Sequence, residues 1–387
     1  MLNSWQLKIF RSNISVMGNS MRISGQIETT KTIYLPGLNG LRAIAAIAVV
    51  ISHITLGLGS FGLNNKIFGT DLDGKASGLK LAGYGVTIFF TLSGFLITFL
   101  LLNEKEKTKL NIKNFYIRRI LRIWPLYYLY FAICLTTLLV FGIPYNSSSV
   151  PFYIFLSANI PFIFNNTLPF LAHYWSLGVE EQFYLFFPQM AKLPNNQLFK
   201  ISVGVVFVFL FLKFIFWILD RKYGIHLPLL FIEVTRFHTM LIGVIGAILY
   251  YQKNLNFLAI CTHKITQIIS WIVILLIALN KFHIASIIDG ELVSVITVFL
   301  IVGQITKTNN LINLENRLCD FIGKISFGIY VIHPILIFYF SKIIGRFESK
   351  TIINYLFIYT LITLTTILFA YLSYEFYEKR FLKLKSK

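Results

Sequence analysis

The sequence predicts an all-α, polytopic transmembrane helical bundle of about ten spans with both termini cytoplasmic, and three observations predict it. Hydrophobic residues make up 56% of the 387 and charged residues only 13%, with a mean hydropathy of +0.71. A soluble domain of this length needs a far more polar surface. The apolar residues fall in runs of about twenty, the length that crosses a bilayer core as a helix. Lys and Arg gather in the short segments between runs, as the positive-inside rule expects.

In order, the runs predict spans near 38–58, 83–102, 123–142, 176–190, 201–219, 237–252, 265–281, 288–304, 325–341 and 352–375. Segment 151–171 is also apolar, but Pro151, Pro161, Pro169 and Asn165-Asn166 interrupt it, so it reads as a re-entrant or interfacial element. With ten spans and a cytoplasmic start, the inner segments carry more than twice the Lys and Arg of the outer ones. An eleventh span at 151–171 would put the basic end KRFLKLKSK outside. The expected organisation is a loose cytoplasmic tail over 1–34, one membrane domain over 35–378 and a basic cytoplasmic tail over 379–387.

The net charge of +19 is absorbed by this topology, so the bilayer, and no nucleic acid, is the expected partner. Cys134, Cys261 and Cys319 have no disulfide or metal spacing. Gly-rich phosphate loops, G-x-S-x-G and H-E-x-x-H are missing, so neither metal chemistry nor nucleotide hydrolysis is expected.

Chemistry concentrates in five segments. In GLNGLRAIAAIAVVISHI, Arg42 and His53 stand eleven residues apart, which returns them to one helix face with a rise of about 16 Å. Ionisable groups at that depth are functional suspects. Desolvation is expected to hold His53 neutral, the form a general base needs. A lone buried His is more often structural, and Arg42 on the same face shifts the reading toward a polar path. In NFYIRRILRIWP, Arg118, Arg119 and Arg122 stand at the cytoplasmic mouth of span three, with Arg119 and Arg122 on one face. They read equally as snorkelling anchors or as a fork for an anionic cytosolic ligand.

HYWSLGVEEQFYLFFP places Glu180 and Glu181 at the opening of a short span. Capping a first helical turn is the plain account. The two point about 100° apart, so one of them needs an internal partner such as an arginine. Trp175 and Tyr184 read as interfacial aromatics. GVTIFFTLSGFLIT sets Ser93-Gly94 inside span two, where small residues favour close packing. ISFGIYVIHPILI puts Tyr330 and His333 on one face of span nine, just before Pro334. His333 either completes the polar path or caps a kink. His226, His238, His263 and His283 receive no role.

In this order, over about residues 35–340 and with a fitting last span, these segments resemble the acyltransferase-3 family of integral membrane acyltransferases. The resemblance implies transfer of an acetyl or other short acyl group from a cytosolic acyl-CoA, with acetyl-CoA the first candidate, to a hydroxyl of a carbohydrate or glycolipid acceptor. No permanently bound cofactor is implied. His53 matches the family's essential histidine and Arg42 its partner arginine, which would orient the donor or stabilise the oxyanion. Arg119 and Arg122 match the Arg-x-x-Arg pair, and Glu180 or Glu181 the acidic motif. Arg118 and Lys113 join the expected donor site, and Ser93, Trp175, Tyr330 and His333 the expected substrate path. Asn39 and Thr87 stand where members commonly carry aspartate. The SGNH-type domain fused to some members has no counterpart here, so a stand-alone form with a separate partner protein is expected, multi-pass in the inner membrane. A transporter or flippase without covalent chemistry is the competing expectation.

Overall fold

Backbone groups inside lipid must be satisfied within the chain, and helices do this locally. The computed structural model describes residues 34–70, 74, 76, 78 and 80–386, and Leu35–Lys387 forms one unit. The tail expected over 1–34 lies outside the described residues, Tyr34 excepted. Among the described residues there is no strand, only an isolated bridge between Thr70 and Ala76.

Helices follow as α1 (Leu38–Gly57), α2 (Lys80–Lys107), α3 (Ile112–Val140), α4 (Val150–Ile154), α5 (Asn159–Ile163), α6 (Tyr174–Met190) and α7 (Asn195–Tyr223). The second half holds α8 (Leu227–Thr235), α9 (Phe237–Tyr251), α10 (Leu255–Thr262), α11 (Lys264–Ala278), α12 (Asp289–Thr306), α13 (Arg317–Lys324), α14 (Ser326–Ile344) and α15 (Ile352–Ser373). Among the described residues, eight stretches are long and apolar enough to cross a membrane, with α8–α9 counted as one. A ninth is the pair α10–α11, bent by 55°. The bend falls at His263, whose extended backbone breaks the helix and whose side chain accepts from the Ile265 N–H to start α11. The remaining expected span, 176–190, corresponds to α6, whose 17 residues reach about 26 Å, the short end of a spanning helix.

Several boundaries differ from the sequence expectation. α3 begins at Ile112 because Asn111 caps it, accepting from the Asn114 N–H, so Arg118, Arg119 and Arg122 lie inside a helix that continues across the apolar run. α6 begins at Tyr174, which puts Glu180 and Glu181 in its second turn. Capping therefore does not explain them. The expected tail is helical, through a π turn at Tyr374–Glu378, Lys379–Leu382 and a 3₁₀ turn at Lys383–Ser386.

Segment 150–173 does not span. It folds as two single-turn helices with Leu156, Asn165 and Phe170 at positive φ. Irregular backbone inside a bundle needs buried partners, and α3 supplies them. Tyr127 OH donates to Tyr153 O at 2.8 Å, Tyr128 OH to Ile154 O at 2.8 Å and Tyr130 OH to Phe170 O at 3.3 Å.

α2 is the most enclosed of the long helices, and it crosses α9 at backbone contact. A Cβ at Gly94 would lie 2.0 Å from Met240 O, and one at Gly243 would lie 2.2 Å from Thr91 O. Only glycines permit that crossing. Gly94 is thus the packing residue of its pair, which leaves Ser93 free for chemistry.

Candidate active site

α1 carries Arg42 and His53 in one unbroken helix, as the spacing predicts. Around His53 the bundle gathers two more imidazoles, His333 from α14 and His173 from the junction before α6. The His53 and His333 rings lie nearly parallel with centroids 4.8 Å apart, and His173 lies 5.3 Å from His333 and 6.5 Å from His53. His173 and His333 are buried, whereas His53 keeps partial exposure.

Hydrogen bonding fixes the polarity of this cluster. His333 Nδ1 lies 3.1 Å from Ile329 O, and a carbonyl only accepts, so Nδ1 carries the proton. In the neutral ring, His333 Nε2 is then an acceptor. His53 Nδ1 sits 2.6 Å from it and donates. The remaining nitrogen of His53, Nε2, is left with its lone pair. His173 Nε2 donates to Val331 O at 3.2 Å. Tyr330 OH donates to His173 O at 2.8 Å and meets Ser176 Oγ at 2.5 Å.

Pro334 explains why α14 offers these contacts. It lies inside the helix, lacks an N–H and loosens the turn before it. Side chains from elsewhere bond that turn: His173 takes Val331 O, and Tyr130 OH accepts from the Ile335 N–H at 3.2 Å.

Toward the other end of α1, Arg42 lies within electrostatic range of Arg119, Arg122, Tyr184 and Glu180. A cavity of about 160 Å³ opens there, lined by Arg118, Arg119, Arg122, Glu104 and apolar residues of α2 and α3. Arg119 packs over the rings of Tyr184 and Phe115, at 5.0 and 5.6 Å. Arg118 pairs with Glu104 at 3.0 Å. Lys113 is exposed and does not line the cavity.

The two carboxylates differ. Glu180 Oε1 accepts from Ser93 Oγ at 2.5 Å and from Tyr184 OH, beside the arginine cluster. Glu181 Oε2 accepts from Trp124 Nε1 at 3.1 Å, while its Oε1 is buried without a partner. The internal arginine expected for one of the pair is therefore near Glu180. Trp175 stands apart from both groups, against Phe90, Phe162 and the Arg236 guanidinium.

Both aspartate departures find partners. Asn39 Nδ2 donates to Asp320 Oδ1 at 3.1 Å, and Thr87 Oγ1 accepts from Arg236 Nη1 at 3.2 Å. Sequence reasoning assigned no role to His173, Ser176, Tyr130 or Arg236. His173 opens a motif that was read for its glutamates, and that position was its only signal.

Residues 35–375 match the acyltransferase-3 family model, described as an acyltransferase domain. The chain is 30% identical over 388 aligned positions to a Staphylococcus aureus (strain COL) protein named "Putative O-acetyltransferase", covering 94% of this chain and 59% of that protein. It is 28% identical over 379 positions to O-acetyltransferase OatA of Staphylococcus aureus (strain NCTC 8325 / PS 47), covering 89% of this chain and 57% of that protein. The chain thus spans less than three fifths of the length of these curated relatives. No solved structure gives a significant match.

Proposed function

The chain belongs to the acyltransferase-3 family, and from that membership we propose that it is a membrane O-acyltransferase moving an acetyl or other short acyl group from a cytosolic acyl-CoA to a hydroxyl of a sugar-containing acceptor. The observation that carries this reading is the bonded sequence Ile329 O, His333, His53, which leaves His53 Nε2 as a lone pair inside the bundle.

Arg119 and Arg122 hold the phosphates of the donor at the basic cavity, since guanidinium binds phosphate bidentately. Arg118 is partly neutralised by Glu104, and exposed Lys113 contributes long-range attraction only. Arg42 lies about 16 Å of helix rise from His53. That span supports a role for Arg42 in guiding the donor over one at the oxyanion. Glu180 positions Ser93 and Tyr184 beneath the donor and offsets the arginines, and Glu181 anchors Trp124.

At the reacting end, His53 Nε2 takes the proton of the acceptor hydroxyl as its oxygen bonds to the thioester carbonyl carbon. The C–S bond breaks as the tetrahedral intermediate collapses, and the proton passes from His53 to the departing thiolate. Positioned base catalysis of this kind is worth about 10²–10⁴-fold. Tyr330 and Ser176 hold the backbone of His173 and so the wall of the chamber.

The test uses proteoliposomes given labelled acetyl-CoA inside and a glycan acceptor outside, with wild type and His53→Ala inserted to equal levels. Label on the glycan in wild type and a loss of at least about 10²-fold in His53→Ala are expected. Equal labelling by His53→Ala removes the base. Unmodified glycan crossing the bilayer in place of labelling replaces transfer with transport.

A further inference from the structure

Helices α2, α7, α8, α9 and α12 line a second cavity that the reaction above does not use. It measures about 290 Å³, near the lower end of the ~300–1,000 Å³ range of small-ligand pockets. α2 contributes Gly83, Tyr84 and Thr87, α7 contributes Lys213, the α8–α9 junction Arg236 and the start of α12 Glu291. On α2 these positions lie opposite the face of Gly85 and Phe89, which meets α1 and Tyr330. The cavity is therefore separate from the His53 chamber.

Its polar groups are not fully partnered. Glu291 Oε1 binds Lys213 Nζ at 3.0 Å and His238 Nε2 at 2.8 Å. Glu291 Oε2 and His238 Nδ1 are buried without any hydrogen-bond partner. Arg236 stands at φ 44° with its guanidinium over the Trp175 ring at 5.5 Å. It donates only to uncharged oxygens: Glu233 O at 2.5 Å, and Gly83 O and Thr87 Oγ1 at 3.2 Å each.

The lining selects a ligand class by elimination. Lys80, Lys213 and Arg236 oppose a cation, and Glu233, Asp289 and Glu291 oppose an anion. Among the described residues no group of three or more His, Cys, Asp or Glu could hold a metal. An apolar ligand would strand these polar groups. A zwitterion finds little free charge, because Lys213 is matched by Glu291 and His283 by Asp289, which favours a neutral molecule dense in hydroxyls, each able to donate and accept. Of the lining hydroxyls, Tyr84 bonds Phe282 O and Asp289, Thr87 bonds Gly83 O and Thr239 bonds Arg236 O, while Ser286 also lines the cavity. We infer that this cavity is a saccharide-binding site distinct from the His53 chamber.

Gly83 supplies the test, because a Cβ there would meet no atom within 4 Å. Gly83 lines the cavity, so Gly83→Phe sets a bulky ring at its wall, and Gly83→Ala is its mild control. The full chain in nanodiscs is titrated with glucose, galactose, N-acetylglucosamine and the zwitterion betaine, read by saturation-transfer NMR. At least one sugar should saturate, with little response to betaine. Binding should persist in Gly83→Ala and His53→Ala and weaken about tenfold or more in Gly83→Phe at an unchanged melting temperature. No saturating sugar, a preference for betaine, or full sugar binding by folded Gly83→Phe overturns the site. If Gly83→Phe does not fold, the wild-type titration alone decides. A chain that binds sugar yet transfers no acyl group keeps this site and loses the earlier reading.

Discussion

His333 does for His53 what the Ile329 carbonyl does for His333: it fixes which nitrogen carries the proton. A glutamine places an amide oxygen near the position of His333 Nε2, so His333→Gln should retain much of the turnover. His333→Ala should lose about 10²–10⁴-fold in kcat with little change in KM. Equal damage in both variants would reduce His333 to a packing residue. At the basic cavity the effect should fall on binding. Arg119→Ala removes one charge-assisted contact, about 1.5–3 kcal/mol, so the KM for acyl-CoA should rise tenfold or more while kcat moves less. Initial rates across donor concentrations separate the two parameters.

Elements were legible where one rule acted alone. The Arg42–His53 face followed from helical periodicity, and Tyr330 and His333 followed from the same arithmetic three residues apart. The start of α6 did not, because the irregular stretch before it is held by tyrosines of α3, a tertiary fact. Lys213, a single charge in an apolar run, and Arg236, at a helix junction, were also missed, because partners of theirs lie on α12 and α2. The α2–α9 crossing makes its own prediction. Gly243→Leu drives a side chain into Thr91 O and should cost about 1–3 kcal/mol, seen as a lower melting temperature in detergent. Gly59→Leu, where a Cβ meets nothing within 4 Å, should leave it unchanged.

For the whole molecule, the charge asymmetry of the sequence makes a testable assignment of which side each end faces. In a background with Cys134, Cys261 and Cys319 replaced by serine, Leu384→Cys should resist a membrane-impermeant maleimide in intact cells. Asn146→Cys should react with it. The opposite pattern inverts the bundle and, with it, the side from which the donor arrives.

One consequence follows from the company His53 keeps. Its ring lies beside two further imidazoles, which in turn meet the phenols of Tyr130 and Tyr330, and among the described residues no carboxylate pairs with any of the three histidines. A proton lodged there mid-reaction finds no counter-ion to keep it. In the proposed transfer it would pass onward to the sulfur just released, leaving the chamber neutral again at the end of each turnover.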